Sequence, residues 1–299
     1  MGSGEATLVV TADDFGVSAG VNAAVVRAHR DGILRGASLM VRGEAAEAAV
    51  REARAAAGLG VGLHLVLAQG VPAAPAAEIP SLVTRAGRFP DQPVLAGFRH
   101  AWAWCRSRGR AELAREIEAQ LAAFAATGLP LGHVDGHLNM HLHPMVLPTL
   151  VALAPRYGIR AMRVTHDDLG FALAHDPRHG LRKRTESIIF RALAAYARPR
   201  LAAAGILAPA RVFGLHATGH VDEDYLMALI PRLEPGVSEL YCHPAASEPA
   251  AGQSGYDHAG EMAALTSPRV RAALSAARVR LASYRELTSG GPAADSAGG

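Results

Sequence analysis

The chain has few cysteines, few aromatic residues and no long uncharged apolar run. Its 299 residues include two cysteines, Cys105 and Cys242, which cannot build the disulfide framework of a small secreted protein. The apolar stretches are interrupted by charge before they reach the roughly 20 residues that a membrane-spanning helix needs. No secretory signal is visible at the start of the sequence. We therefore expect a cytoplasmic protein, soluble or attached to a membrane surface.

The sequence also lacks a dense block of basic residues. The net charge is +3 and the arginines are spread along the chain, without the basic clusters and interleaved aromatics typical of nucleic-acid binding. This pattern predicts no nucleic-acid partner. Half of the residues are hydrophobic, which is enough to bury a large core.

Short apolar runs alternate with segments of helical apolar spacing. The runs predict eight strands, at residues 7–12, 37–41, 61–67, 132–135, 160–165, 211–216, 239–243 and 279–284. The helical segments are residues 21–31, 44–57, 111–127, 144–157, 187–204 and 223–233. Such alternation favours parallel strands joined by helices. We predict an α/β fold, an irregular TIM-like (β/α) barrel of one domain over residues 1–287, with its chemistry at the carboxyl ends of the strands.

Three segments fall outside this alternation. Residues 71–99 and 166–185 have no clean period, and we expect substrate loops there. Residues 288–299 are rich in Gly, Ala and Ser and predict a disordered tail.

Two adjacent carboxylates, Asp13 and Asp14, follow the first predicted strand. They repel each other unless a positive charge lies beside them, and a metal ion would supply it. One carboxylate would then bind the metal and the other would serve as a general base. The alternative is an Asp-rich turn that caps the helix beginning near Ser18.

Histidines are concentrated near later strand ends. His64 lies inside an apolar strand, where a single histidine is more often a hydrogen-bonded core residue than a ligand. Residues 132–144 hold four histidines and Asp135, and one or two of them could complete a metal shell begun by Asp14 and His64. The alternative is a histidine-rich loop that binds metal adventitiously.

A further histidine, His243, stands at a strand end directly before a proline. On a regular strand its neighbour Cys242 faces the opposite way, so we expect Cys242 to pack rather than to react.

The order of these motifs along the chain resembles that in the YdjC-like carbohydrate deacetylases, and the resemblance covers residues 8–287. The resemblance rests on Ala-Asp-Asp-Phe-Gly at residues 12–16, Gly-Leu-His at residues 62–64 and the histidine-rich run after Asp135. Residues 37–41, 60–67, 77–80 and 141–144 are similar to the branch associated with hopanoid biosynthesis, HpnK. Gly136 and Asn139 stand where Ser and His are common in the family.

The resemblance implies metal ligands at Asp14, His64 and His137. His141, four residues beyond His137, is the alternative by helical spacing. One carboxylate and two imidazoles suit Zn²⁺, Fe²⁺, Co²⁺ or Mn²⁺ by ligand softness, whereas the resemblance to the family implies Mg²⁺. We expect one divalent metal ion, either Zn²⁺ or Mg²⁺.

The implied reaction removes acetyl from an N-acetylated sugar. We expect Asp13 to take the proton of the attacking water and His243 to donate one to the departing amine. The implied substrate is an N-acetylglucosaminyl hopanoid, a glycolipid, and a chitooligosaccharide is the alternative. A silent metal- or carbohydrate-binding protein and a phosphoesterase are the competing classes. A phosphoesterase would need more carboxylates, to hold two metals.

Residues 178–200 combine several arginines with Ile188, Ile189 and Phe190. This composition fits a peripheral contact with an anionic membrane. It also fits an ordinary barrel helix that packs its apolar stripe inward, and the sequence favours this second interpretation.

Overall fold

The strands of the barrel are short and parallel. The computed structural model describes residues 5–92, 97, 106–246, 253 and 255–289. Its strands are β1 Ala6–Phe15, β2 Gly36–Leu39, β3 Gly60–Leu65, β4 Val134–Gly136, β5 Arg211–Phe213, β6 Gly236–Cys242 and β7 Arg280–Leu281. The sheet order is β4-β3-β2-β1-β6-β5, and β7 adds to the amino half of β1. The first strand is therefore central, between β2, which follows it in sequence, and the distant β6.

Helices cover the outside of this sheet. They are α1 Ala19–Asp31, α2 Ala46–Ala55, α3 Ser107–Ala126, α4 Leu147–Tyr157, α5 Leu169–His175, α6 Gly180–Ala203, α7 Glu223–Leu229, α8 His258–Thr266, α9 Pro268–Ala276 and α10 Tyr284–Ser289. Because helices cover the sheet, β1 is buried almost throughout and reads as one apolar run up to Asp13.

Residues 160–167 lie between the two edge strands of the sheet, β4 and β5, and contact both. Met162 forms a parallel bridge with Val134 of β4, and Ala161 forms one with Leu207. The Val212 amide of β5 donates to the carbonyl of His166 at 3.3 Å. The predicted strand at residues 160–165 is thus reduced to single bridges, because its partners change from residue to residue. The irregular, TIM-like (β/α) barrel is confirmed.

The described part of the first insert is tied to α3 by buried polar side chains. Glu116 accepts the amides of Ala73 and Ala74, both at 2.9 Å, and Glu112 accepts the amide of Ser81 at 2.8 Å. Burial raises the pKa of Glu116, although the two amides act against it. The polar side of α3 is therefore covered by the insert.

The second insert, residues 166–185, is not the loop that we predicted. It contains α5 and residues 180–185 of α6, and the Asp168 side chain caps α5 by accepting the Phe171 amide. The prediction was wrong because α5 is only seven residues long and α6 carries apolar residues on two sides, so neither shows a clear helical period.

At the carboxyl terminus, Thr288 and Ser289 continue α10, and the rest of the predicted tail lies outside the described residues. None of the helices in the described ranges has the length and apolar character to cross a bilayer.

Candidate metal centre and active site

The two carboxylates at the end of β1 reach the same interior space. Neighbouring side chains of a regular strand point to opposite faces. The register of β1 against β2, however, is irregular between residues 12 and 15, and Asp14 has a left-handed φ of 61°. Asp13 contacts Arg163, and Asp14 contacts His64. The irregular strand end therefore directs both carboxylates into the barrel mouth.

Asp14, His64 and His137 converge. The Asp14 Oδ1 atom lies 3.3 Å from Nε2 of His64 and 3.1 Å from Nδ1 of His137. One donor atom from each residue falls within 4.8 Å of the other two. Three residues from β1, β3 and the turn after β4 thus present a carboxylate and two imidazoles to one point.

The outer ring nitrogens of both histidines are occupied. Nδ1 of His64 lies 2.8 Å from Oδ1 of Asp135, and Nε2 of His137 lies 3.1 Å from the amide oxygen of Gln69. If each outer nitrogen donates its proton to these acceptors, the inner nitrogens keep lone pairs directed at the Asp14 side. Outer hydrogen bonds of this kind orient histidines that bind metals. The residues present therefore fit a divalent cation.

The electrostatics of the cluster also favour a cation. Burial lowers the pKa of His64, but the Asp135 charge and the bonds to Asp135 and Asp14 outweigh burial and raise it to about 10. Burial raises the pKa of Asp14, but His137 and His64 outweigh burial and hold it well below its usual value. Without a metal, a proton on His64 places a positive charge between Asp14 and Asp135.

His141, the alternative ligand, faces elsewhere. It is fully buried, and its Nε2 lies 2.9 Å from the carbonyl oxygen of Arg163. Burial lowers its pKa to about 4, so the ring is neutral and donates to that carbonyl. Among the described residues, the side-chain atoms that converge with those of Asp14 and His64 come from His137, and His141 contributes none. Leu138 and Asn139, with φ of 54° and 57°, turn the chain between the two histidines.

Asp13 is held by a buried guanidinium. Arg163 donates to both oxygens of Asp13 at 2.7 Å and also pairs with Asp135 at 2.7 Å and Glu239 at 2.9 Å. A bidentate pair fixes the orientation of a carboxylate as well as its charge. Asp13 therefore lies next to Asp14 and His64, and Arg163 sets the plane of its carboxylate.

His243 follows β6, with its ring edge-on to Tyr241 and Tyr256 at centroid distances of 5.8 and 5.2 Å. Burial lowers its pKa, while the charges of Asp13 and Asp14 raise it. The ring is therefore largely neutral at neutral pH, and it lies within the electrostatic reach of both carboxylates.

The backbone of His243 is held from both sides by α8. Its N–H donates to the side-chain carboxyl group of Glu261, and its carbonyl oxygen lies 2.5 Å from Nδ1 of His258. The other oxygen of Glu261 accepts the Val221 amide at 3.1 Å. Glu261 thus fixes two loops at the carboxyl edge of the sheet.

Four functional candidates were not predicted from the sequence. Arg163 carries a signal, since it is a charged residue inside an apolar strand. Gln69, Gln253 and Glu261 carry none, because their types and spacings are ordinary for a surface. Gln253 donates to the second oxygen of Asp14.

Comparison with known proteins identifies relatives over most of the chain. The model of the YdjC-like protein family matches residues 7–276. A carbohydrate deacetylase of Geobacillus stearothermophilus is 34% identical over 285 residues, which span 93% of this chain and 97% of that protein. A carbohydrate deacetylase of Brevibacillus brevis is 43% identical over 152 residues, 51% of this chain and 57% of that relative.

Two more distant similarities each cover 95% of this chain. A chitooligosaccharide deacetylase of Serratia marcescens is 28% identical across 95% of this chain and all of that protein. The fold matches a crystal structure from Enterococcus faecalis V583, a protein provisionally assigned to cellobiose-phosphate cleavage. The TM-score is 0.72 and the identity 24%, over 95% of this chain and 99% of the other. The likeness to that structure concerns the fold alone. From the family match and the full-length relatives, the chain belongs to the YdjC-like protein family.

Proposed function

We propose that this protein is a metal-dependent deacetylase that hydrolyses the acetamide of an N-acetylated sugar. The observation that supports it best is the convergence of Asp14, His64 and His137 beside an Asp13 that Arg163 orients. The names of the full-length relatives, a carbohydrate deacetylase and a chitooligosaccharide deacetylase, support the same reaction class.

Asp14, His64 and His137 would hold the cation. A bound divalent metal supplies a Lewis acid that lowers the pKa of water and polarises a carbonyl oxygen. In our proposal Asp13 accepts the proton of the attacking water while Arg163 keeps the carboxylate in place. The new C–O bond and the broken C–N bond give acetate and a free amino sugar.

The departing amine needs a proton, and we assign its donation to His243. Burial lowers the pKa of His243, which makes its protonated form a stronger acid and confines that form to lower pH. The held backbone of His243 would keep the ring in place during the transfer.

The metal is proposed to be Zn²⁺ or Mg²⁺. Two imidazoles and one carboxylate favour Zn²⁺ by ligand softness, whereas Mg²⁺ prefers oxygen ligands. Elemental analysis of protein purified without added metal, followed by stripping and separate reloading, distinguishes them. Activity that survives complete removal of metal would contradict metal dependence.

For the substrate, we propose the N-acetylglucosaminyl hopanoid, on the similarity of residues 37–41, 60–67, 77–80 and 141–144 to the hopanoid branch. The chitooligosaccharide alternative rests on the activity named for the Serratia marcescens relative.

Acetate release from the hopanoid and from diacetylchitobiose, measured side by side with metal-loaded and metal-stripped protein, tests both substrates. Higher kcat/KM on the hopanoid is expected, and higher kcat/KM on diacetylchitobiose would overturn that choice. Release from neither, with metal present in the protein, would favour a silent binding protein.

A further inference from the structure

Helix α6 is apolar on two opposite sides. Its inward side buries Ala194, Ala197 and Leu201 against the barrel. Its outward side carries Leu181, Ile188 and Ile189, which are 81%, 62% and 51% exposed. At 3.6 residues per turn these three project away from the buried side. An inward-packing stripe alone does not account for them, because a barrel helix normally presents polar residues to water.

The three outward apolar side chains lie on the same side of α6, about two turns apart from first to last. Among the described residues, Leu138 is the only other large apolar side chain of comparable exposure. Leu138 itself follows His137 directly, at the mouth of the candidate site. Contiguous exposed apolar patches on monomers commonly mark interaction surfaces.

Arginines flank this patch on both sides. By helical geometry, Arg182 lies along one side of it and Arg184 and Arg191 lie along the other, and all three are exposed. Arg182 lies 3.6 Å from Glu186. Within the described ranges, Arg184 and Arg191 have no carboxylate at ion-pair distance. We call Leu181, Ile188 and Ile189 with these three arginines the α6 ridge.

The ridge is connected to the end of the barrel that carries the candidate site. The Glu186 carboxylate lies 3.4 Å from Nδ1 of His216, which follows β5 at the carboxyl edge of the sheet. Farther along α6, the Tyr196 hydroxyl donates to the carbonyl of Pro144, just after the histidine-rich turn.

We propose that the α6 ridge docks the protein on an anionic membrane surface. Leucine and isoleucine would enter the boundary between headgroups and acyl chains, and the flanking guanidiniums would bind lipid phosphates. Charge complementarity favours this occupant over a second copy of the chain, because two ridges facing each other would bring arginines against arginines. Docking goes beyond the deacetylase proposal. Vesicle binding is measured without turnover, so the docking proposal and the deacetylase proposal can fail independently.

The test is co-sedimentation of the full chain with vesicles of equal parts phosphatidylglycerol and phosphatidylcholine, and with phosphatidylcholine alone. Binding is expected to the first only, and to weaken as salt is added. The pair Ile188→Ser and Ile189→Ser is expected to lower partitioning about tenfold or more, as is the pair Arg184→Ser and Arg191→Ser.

The matched control is the pair Arg278→Ser and Arg280→Ser, which removes the same charge at the amino edge of the sheet, where β7 pairs with the start of β1. It is expected to bind like the wild type.

The proposal is overturned if the wild type does not sediment with the anionic vesicles, or if both arginine pairs reduce binding equally. It is also overturned if the chain forms a dimer that the isoleucine variants dissociate, since the ridge would then be a self-association surface. Circular dichroism verifies that each variant is folded.

Discussion

At the scale of single residues, the roles of Asp13 and Asp14 are separated by their contacts. Asp14 faces two imidazoles, whereas Asp13 faces the guanidinium of Arg163. We expect Asp13→Asn to retain the bound metal and to lose about a hundredfold to ten-thousandfold in kcat, because the amide cannot accept a proton. Elemental analysis and acetate release measure the two effects. Asp14→Asn is the comparison and should lose the metal itself. An active, metal-loaded Asp13→Asn protein would remove Asp13 as the base.

A proton on His64 would compete with the proposed metal ion. Because the pKa of His64 is about 10 in the metal-free protein, the ring is protonated at neutral pH and Nε2 must lose its proton before it can bind a cation. Metal binding should therefore release about one proton from His64, and apparent affinity should fall about tenfold for each pH unit of acidification.

Calorimetric titration in buffers of different protonation enthalpy measures this release. The neighbouring Asp135→Asn variant removes one carboxylate that raises the pKa of His64, so it should release fewer protons. Affinity that does not change with pH would show that His64 is not a ligand.

At the scale of secondary-structure elements, β3 packs against the ring of His133 at Gly62, where there is no space for a side chain. A Cβ atom on Gly62 would lie 2.4 Å from the ring of His133, which is buried, stacks on Tyr284 and lies 3.1 Å from the Ser38 hydroxyl. The ring has no room to yield, so Gly62→Ala should destabilise the protein by about 1–3 kcal/mol in urea unfolding. Gly255→Ala, where a Cβ meets nothing within 4 Å, is the control and should have little effect.

The link between α8 and the strand ends should make stability depend on pH. Burial raises the pKa of Glu261 from 4.5 to about 8, although the amides of His243 and Val221 act in the opposite direction. The folded protein then holds a proton that the unfolded chain releases between these two values. The contribution of neutral Glu261 is therefore fully present below about pH 4.5 and is lost as pH rises through about 8.

Glu261→Gln, which does not titrate, isolates this effect. The free energy of unfolding of the wild type relative to the variant should decrease between about pH 5 and about pH 8. A constant difference between the two proteins would contradict the buried, neutral Glu261.

At the scale of the whole molecule, Arg163 joins strands from both halves of the chain through the barrel interior. It binds Asp13 on β1, Asp135 on β4 and Glu239 on β6. Arg163→Leu should cost about 3–5 kcal/mol of unfolding free energy, because it leaves three buried carboxylates without their common partner. Arg156→Leu, which removes an exposed pair with Glu118, should cost less than about 1 kcal/mol. Equal losses in urea unfolding would show that the interior network contributes no more than a surface pair.

The sequence was most informative where a site signal was local. The alternation of apolar runs and helical spacing predicted the barrel, and Asp13-Asp14, His64 and His137 stand out within their own segments. Arg163 and Asp13 are 150 positions apart, so the contact between them is visible only after folding. The helices α8 and α9 were missed although Ser267-Pro268 is a recognisable start, with the Ser267 side chain accepting the amides of Arg269 and Val270.

The central position of β1 has a consequence for how the chain acquires this shape during synthesis. β2 follows β1 closely in sequence, but the other neighbour, β6, begins at Gly236. Until the ribosome has released that segment, one edge of the first strand has no partner, and such an edge is prone to pair with other chains. Closure through so distant a strand also slows folding. A nascent chain stalled before β6 would therefore carry Asp13 and Asp14 on an incomplete, aggregation-prone sheet.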